Sequence, residues 1–189
     1  MSESRELIVR AARRLFAEHG YRAVSVRDVA AAAGVSPSLV MKLVGSKAEL
    51  FTSSVSFTPD EADLSRPLHE LGRGLVGDVL DRLQAGGPEP LARAVVLALP
   101  APDPDEVRRR FHEAYAVPLT ARLGGDPQAA VAAEMVISAL VGLAVSTRVL
   151  RLLADPAVAT QVREGYGRAV QSLIDGVSGA QDPADRVGP

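Results

Sequence analysis

Gly72-Arg73-Gly74-Leu75-Val76-Gly77 has the GxGxxG spacing with which a dinucleotide-binding loop cradles a pyrophosphate. That loop needs a strand before it, a helix after it and an acidic residue ~20 positions on. Here the run follows His69-Glu70-Leu71 inside a helical pattern, with no βαβ unit around it. Its glycines read better as sites of close helix packing or local looseness, each costing about 1 kcal/mol relative to Ala. His19, His69 and His112 are scattered with no HExxH pair, and the chain has no cysteine, so no metal ligands, disulfides or thiolate nucleophiles are expected. No GxSxG elbow, Walker loop or catalytic carboxylate pair occurs either. The sequence predicts no enzyme, no metal and no cofactor.

Charge points elsewhere. Residues 1–50 hold eight Lys/Arg against five Asp/Glu, a balance of +3, whereas residues 51–189 hold thirteen against eighteen, a balance of −5. The basic end is the candidate nucleic-acid face. With 4% aromatics and 47% hydrophobic residues, rich in Ala, Val and Leu, the chain should be all-α.

The elements that position the basic end have clear local signals. Leu7, Ile8, Ala11, Ala12, Leu15 and Phe16 recur at helical spacing up to Gly20. Ser25 caps a second helix through Ala33, with Asp28 in the place a capping box gives to Glu or Gln. Gly34 ends it, Ser36-Pro37 opens a short third helix to about Val44, and Gly45-Ser46 opens a fourth. Val26, Val29, Ala30, Ala33, Val35, Val40 and Val44 fit one shared core. On these features alone the segment is either a plain αα-corner or a helix-turn-helix whose second helix offers its outer face to a major groove.

The later helices are expected over Leu68–Leu83, Pro88–Leu99, about 103–123 with a kink at Pro118, Ala129–Leu153 and Val158–Ile174. That gives about nine helices. The expected division is 1–50, 51–177, and a disordered tail over 178–189. Met1 to Glu6 are charged and lead into no apolar signal region. The apolar stretch Ala129–Leu153 is interrupted by Glu134, Arg148 and Arg151, so it predicts a buried or interface helix and no membrane partner. The absence of cysteine fits a cytoplasmic location.

Three runs carry a resemblance: Ala11-Ala12-Arg13-Arg14-Leu15-Phe16-Ala17-Glu18-His19-Gly20-Tyr21, Ser25 through Ser36, and Gly45-Ser46-Lys47-Ala48-Glu49-Leu50-Phe51. Together they resemble the DNA-binding half of TetR-type transcriptional regulators. The resemblance covers about fifty residues in helix length, glycine position and the Ser-Lys start of the fourth helix; the remainder is similar in architecture only. It implies that Ser25 and Arg27 contact phosphate, that Ser36, Pro37, Ser38, Leu39, Met41 and Lys42 face the groove, and that Lys47 and the amides beginning the fourth helix hold another phosphate. The sequence departs from the family at Met41, where an aromatic residue is usual, and at Leu43, where His is frequent.

The resemblance further implies a homodimer on a near-palindromic operator, pairing through Ala129–Leu153 and Val158–Ile174, and a repressor released by a small-molecule effector. Phe57, His69, Phe111, Tyr115 and Met135 fall in the region where such proteins hold effectors, as does His112. With seven aromatics in all, an aliphatic pocket suited to an apolar effector is expected. The alternative, motivated by Met41 and Leu43, is a degenerate regulator that binds a protein or small molecule with little affinity for DNA.

Overall fold

A computed structural model describes residues 3–55, 57, 64–86, 89–99, 101–153 and 155–178. All of their regular structure is helical, and they divide into two compact units. The first comprises residues up to Phe57 together with Arg93–Phe111; the second comprises Thr58–Ala92 and His112 onward.

The first unit holds α1 (Glu3–Ala23), α2 (Val26–Ala33), α3 (Pro37–Leu43), α4 (Lys47–Ser54), most of α6 (Pro90–Ala98) and α7 (Pro104–Phe111). Gly20 interrupts α1 with φ 77 and ψ 167, at the position where the sequence places the helix end. Ile8, Ala12 and Phe16 on α1, Val29 and Ala30 on α2, Val40 on α3, and Leu50 and Phe51 on α4 form its buried core, joined by Leu97 and Val107. Phe51 receives the rings of Phe16 and Tyr21, both edge-on at 5.1 Å, which fixes α4 against α1.

The second unit holds α5 (Leu68–Gln84), the start of α6, a π-helical turn (His112–Ala116), α8 (Val117–Arg122), α9 (Pro127–Arg148) and α10 (Pro156–Ser178). Counting Pro104–Arg122 as one interrupted helix leaves nine among the described residues. The most extensive packing is between α5 and α10. It is close because Gly72 lacks a side chain: a Cβ there would lie 2.5 Å from the Gln171 amide nitrogen and 2.6 Å from its Cα. Gln171 is buried, and its carboxamide accepts from the Gly72 N–H at 2.9 Å while donating to the Leu68 carbonyl at 2.8 Å. It thus bonds both members of one turn of α5. The GxGxxG run therefore lies within a helix, where its first glycine admits a neighbouring backbone.

Three helix expectations are corrected. The irregularity between 103 and 123 is a π turn just before Pro118 rather than a kink at it. Proline cannot donate to the carbonyl four residues back and its ring crowds that turn, so widening the preceding turn relieves both. Helix α9 spans Pro127–Arg148, not Ala129–Leu153; Arg151 (φ 53) and Leu153 (φ 68) take left-handed backbone, and the Leu152 N–H bonds the Ser146 carbonyl. Helix α10 is longer than expected, Pro156–Ser178. Of the expected tail, all but Ser178 lies outside the described residues. By length and composition alone α9 is apolar enough to cross a bilayer, but it buries Ala129, Ala133, Val136, Leu140, Leu143 and Ala144 within the protein.

Candidate nucleic-acid interface

Helices α2 and α3 meet at Gly34, which takes left-handed φ 68 and ψ 31, a conformation that strains any residue with a Cβ. The Val35 N–H then bonds the Ala30 carbonyl at 2.9 Å, closing the turn. Each of the three helices of the motif starts on a serine. Ser25 Oγ accepts from the Asp28 N–H at 3.2 Å, and the Asp28 carboxylate accepts from the Ser25 N–H at 2.8 Å and from its hydroxyl at 2.7 Å. These bonds from Ser25 hold the Asp28 carboxyl below its usual range. Ser46 and Glu49 repeat the box at the start of α4, with the Ser46 N–H on Glu49 at 2.7 Å and the Glu49 pKa lowered in consequence. Ser36 Oγ accepts from the Leu39 N–H at 3.2 Å and lies 2.9 Å from the Ser38 hydroxyl, with Pro37 beginning α3.

Val40 anchors α3 in the core, and Leu43 and Val44 pack beside it, partly buried. The opposite face carries Pro37, Ser38, Met41 and Lys42, all exposed, with Leu39 half-buried at its margin. Met41 is 49% exposed, so the two departures from the family separate: Met41 faces outward and Leu43 inward. Arg27 is exposed on α2 and, like Lys42, has no ion-pair partner among the described residues. Lys47 is held from two sides. Its Nζ donates to the Arg22 carbonyl at 3.4 Å and stands 4.5 Å from the Tyr21 ring centroid, a cation–π distance. Both boxes satisfy the cap and third amides, leaving the first two amides of α4, Lys47 and Ala48, without a partner in the helix.

The support that Tyr21 and Arg22 give Lys47 left no mark in the sequence, because their contacts bridge 25 residues. The second group of basic residues lies apart. Arg5, Arg10 and Arg13, with Glu6, Val9 and Ser53, line a groove of about 300 Å³ along the first half of α1. Arg13 there donates to the Ser54 carbonyl at 3.2 Å.

The residues expected to bind an effector are placed variously. Phe57 and Phe111 meet edge to face at 5.5 Å within the first unit. In the second unit His69 is exposed beside Glu70 at 3.5 Å, Met135 is 50% exposed, His112 pairs with Glu134 at 3.3 Å on the surface, and Tyr115 is half-buried in the π turn. No group of three or more His, Asp or Glu among the described residues is arranged to hold a metal ion.

Residues 8–53 match the family described as bacterial regulatory proteins, tetR family, and residues 69–186 match the tetracyclin repressor-like C-terminal domain. A TetR-family regulator from Streptomyces coelicolor A3 is 30% identical, with 91% of this chain and 94% of that one covered and a TM-score of 0.56. The fold is shared with the fatty acid degradation regulator FadR from Bacillus halodurans, at 18% identity, 90% and 96% coverage and a TM-score of 0.62. It is shared too with NalD, described as the secondary repressor of the MexAB-OprM multidrug efflux pump in Pseudomonas aeruginosa, at 23% identity, 88% and 95% coverage and a TM-score of 0.58. No curated protein sequence matches the chain. Matched over both its halves, the chain belongs to the TetR family of DNA-binding transcriptional regulators.

Proposed function

We propose that the protein is a transcriptional repressor that binds a near-palindromic operator as a homodimer and is released by a small-molecule effector. The observation that carries the DNA-binding part is the outer face of α3, with Pro37, Ser38, Met41 and Lys42 exposed between Arg27 and Lys47. Arg27, Lys42 and Lys47 hold phosphates, Ser25 and the leading amides of α4 add neutral contacts, and Ser36, Ser38, Leu39 and Met41 meet base edges. Three cations per subunit, six per dimer, predict a log–log salt slope of about −5.

Pairing is supported by the surface of α9 and α10. Val131 (61% exposed), Met135, Ser138 and Gly142 make an open stripe at helical spacing on α9, and Val158 and Tyr166 stand out on α10. Gly142 and Gly165 lie in helix interiors, yet a Cβ on either would meet nothing within 4 Å. A helical glycine costs about 1 kcal/mol relative to Ala, and here no contact inside the chain uses it. A partner helix approaching closely supplies the use. On this reading Met135 belongs to the dimer face, and the effector occupies the second unit near Tyr115.

Anisotropy titration of duplexes selected from a random pool, repeated over a KCl series, tests the function. Salt-sensitive binding that resists competitor DNA, with the slope reduced by Arg27→Ala and by Lys42→Ala, is expected. Binding to no selected duplex would leave the degenerate reading, which outward-facing Met41 favours.

A further inference from the structure

The last turn of an α-helix leaves its carbonyls without intrahelical donors, and in α4 these are taken up from two sides. The Phe51 carbonyl receives the Val55 N–H and the Ser54 hydroxyl. The Ser54 carbonyl receives Arg13 Nε from α1. The Thr52 and Val55 carbonyls both receive Nη1 of Arg110, which comes from α7, more than fifty residues later. Arg110 is itself aimed by Glu106, which accepts from its Nε at 2.7 Å; Glu106 also takes a two-pronged contact from Arg109, at 2.8 Å for each bond. Arginine suits this place because its guanidinium presents several donors in a fixed plane, so one side chain spans a carboxylate and two carbonyls at once; a lysine ammonium offers no such fork.

Helix α4 is eight residues long, about 12 Å from end to end. At its far end stand Lys47 and the free amides. So short a helix moves as a rigid piece, and whatever sets the position of its last carbonyls also sets the position of its first amides. We propose that Arg110, oriented by Glu106, is a positioning residue for DNA binding: it clamps the end of α4 so that Lys47 and the leading amides of that helix meet the phosphate, without touching DNA itself. The proposal rests on the DNA-binding reading above. It adds to that reading a residue of α7, a helix packed within the DNA-reading unit although distant from it in sequence.

Salt dependence separates positioning from contact. A residue that holds a phosphate contributes to counterion release, whereas one that only places another group lowers affinity at constant slope. With a duplex selected by the wild-type protein, anisotropy at 20 °C over a KCl series should show Arg110→Met weakening binding about tenfold at every salt concentration, with the slope unchanged. Lys47→Met should weaken binding and lower the slope by about one unit per subunit. Glu106→Gln, which leaves Arg110 in place but removes its orienting charge, should fall between wild type and Arg110→Met. A lowered melting temperature with wild-type affinity would reduce Arg110 to a stabilising role and overturn the proposal; so would a lowered slope, which would make it a DNA contact. If Arg110→Met does not fold, Arg110→Lys replaces it, and wild-type affinity in that variant counts against the clamp. If the wild-type protein selects no duplex, the DNA-binding reading fails by itself. Amide hydrogen exchange over residues 50–55 then reads the clamp, faster exchange in the Arg110 variant supporting it and unchanged exchange overturning it.

Discussion

Replacing Gly72 with alanine inserts one methyl group between two backbones. The added Cβ would stand 2.5 Å from the Gln171 nitrogen and 2.6 Å from its Cα, and 2.8 Å from the Val170 carbonyl carbon, all main-chain atoms that no side-chain rotation can move aside. Helices α5 and α10 must then separate by about 1 Å, and overpacking of this kind costs about 1–3 kcal/mol. Separation also stretches the two bonds from the buried Gln171 carboxamide to the Gly72 N–H and the Leu68 carbonyl, each contributing about 1 kcal/mol and leaving buried polar groups behind when lost. Against this, alanine gains about 1 kcal/mol of helix propensity. The net expectation is a loss of about 3 kcal/mol, or a fall of about 10 °C in Tm for a chain of this size. Thermal unfolding followed by circular dichroism measures it, with Gly142→Ala as a partner experiment in a helix where the new methyl meets nothing. A Gly72→Ala protein as stable as wild type would refute the claim that this glycine exists for the approach of α10.

Other outcomes follow from the site and the surface. Met41→Tyr restores a hydroxyl at an exposed position of α3 and should tighten DNA binding roughly tenfold for the dimer at unchanged salt slope, because the added group is neutral; weaker binding in anisotropy would show that Met41 reads base methyls instead. Gly165→Leu places bulk on the open side of α10 and should shift sedimentation from dimer towards monomer, an undisturbed dimer counting against that face. The Glu106 carboxyl is pulled from 4.5 to about 2, chiefly by Arg109 and then by Arg110. A depressed folded pKa contributes stability that is complete above the unfolded value and lost as pH falls through the folded one. Acid unfolding followed between pH 4.5 and 2 should therefore be less steep in Glu106→Gln than in wild type, and superimposable curves would contradict the pairing.

The parts of this fold that were legible in the sequence are those specified within a few residues. Ser25 with Asp28, Gly34, Ser36 with Pro37, and Ser46 with Glu49 fix the ends of α2, α3 and α4 through contacts spanning three residues, and the helices begin where those residues place them. The end of α9 was not legible. Its last turn contains neither glycine nor proline, and the chain leaves the helix through left-handed Arg151, a conformation for which arginine carries no signal. The GxGxxG glycines could be removed from a nucleotide loop by context, but what occupies the space beside Gly72 is Gln171, 99 residues away. Arg110 was equally hidden, since its partners lie 55 and 58 residues earlier. At the reading face, the outward position of Met41 and the inward one of Leu43 follow from Val40 being the anchor between them, a choice of helix phase that seven residues alone do not decide.

Asp28 and Glu49 have a consequence for how the protein treats polyanions in general. Each places a carboxylate at a helix start near a residue assigned to phosphate contact. The free protein thus carries resident anions where DNA would bring its own, and an arriving phosphate must share the field of each helix start with a charge already installed. Random polyanions gain little from such partly neutralised sockets, whereas a duplex that engages α3 and both ends of the motif at once recovers the difference through many contacts. A built-in rival of this kind favours occupancy of a matched site over loose association along any stretch of DNA.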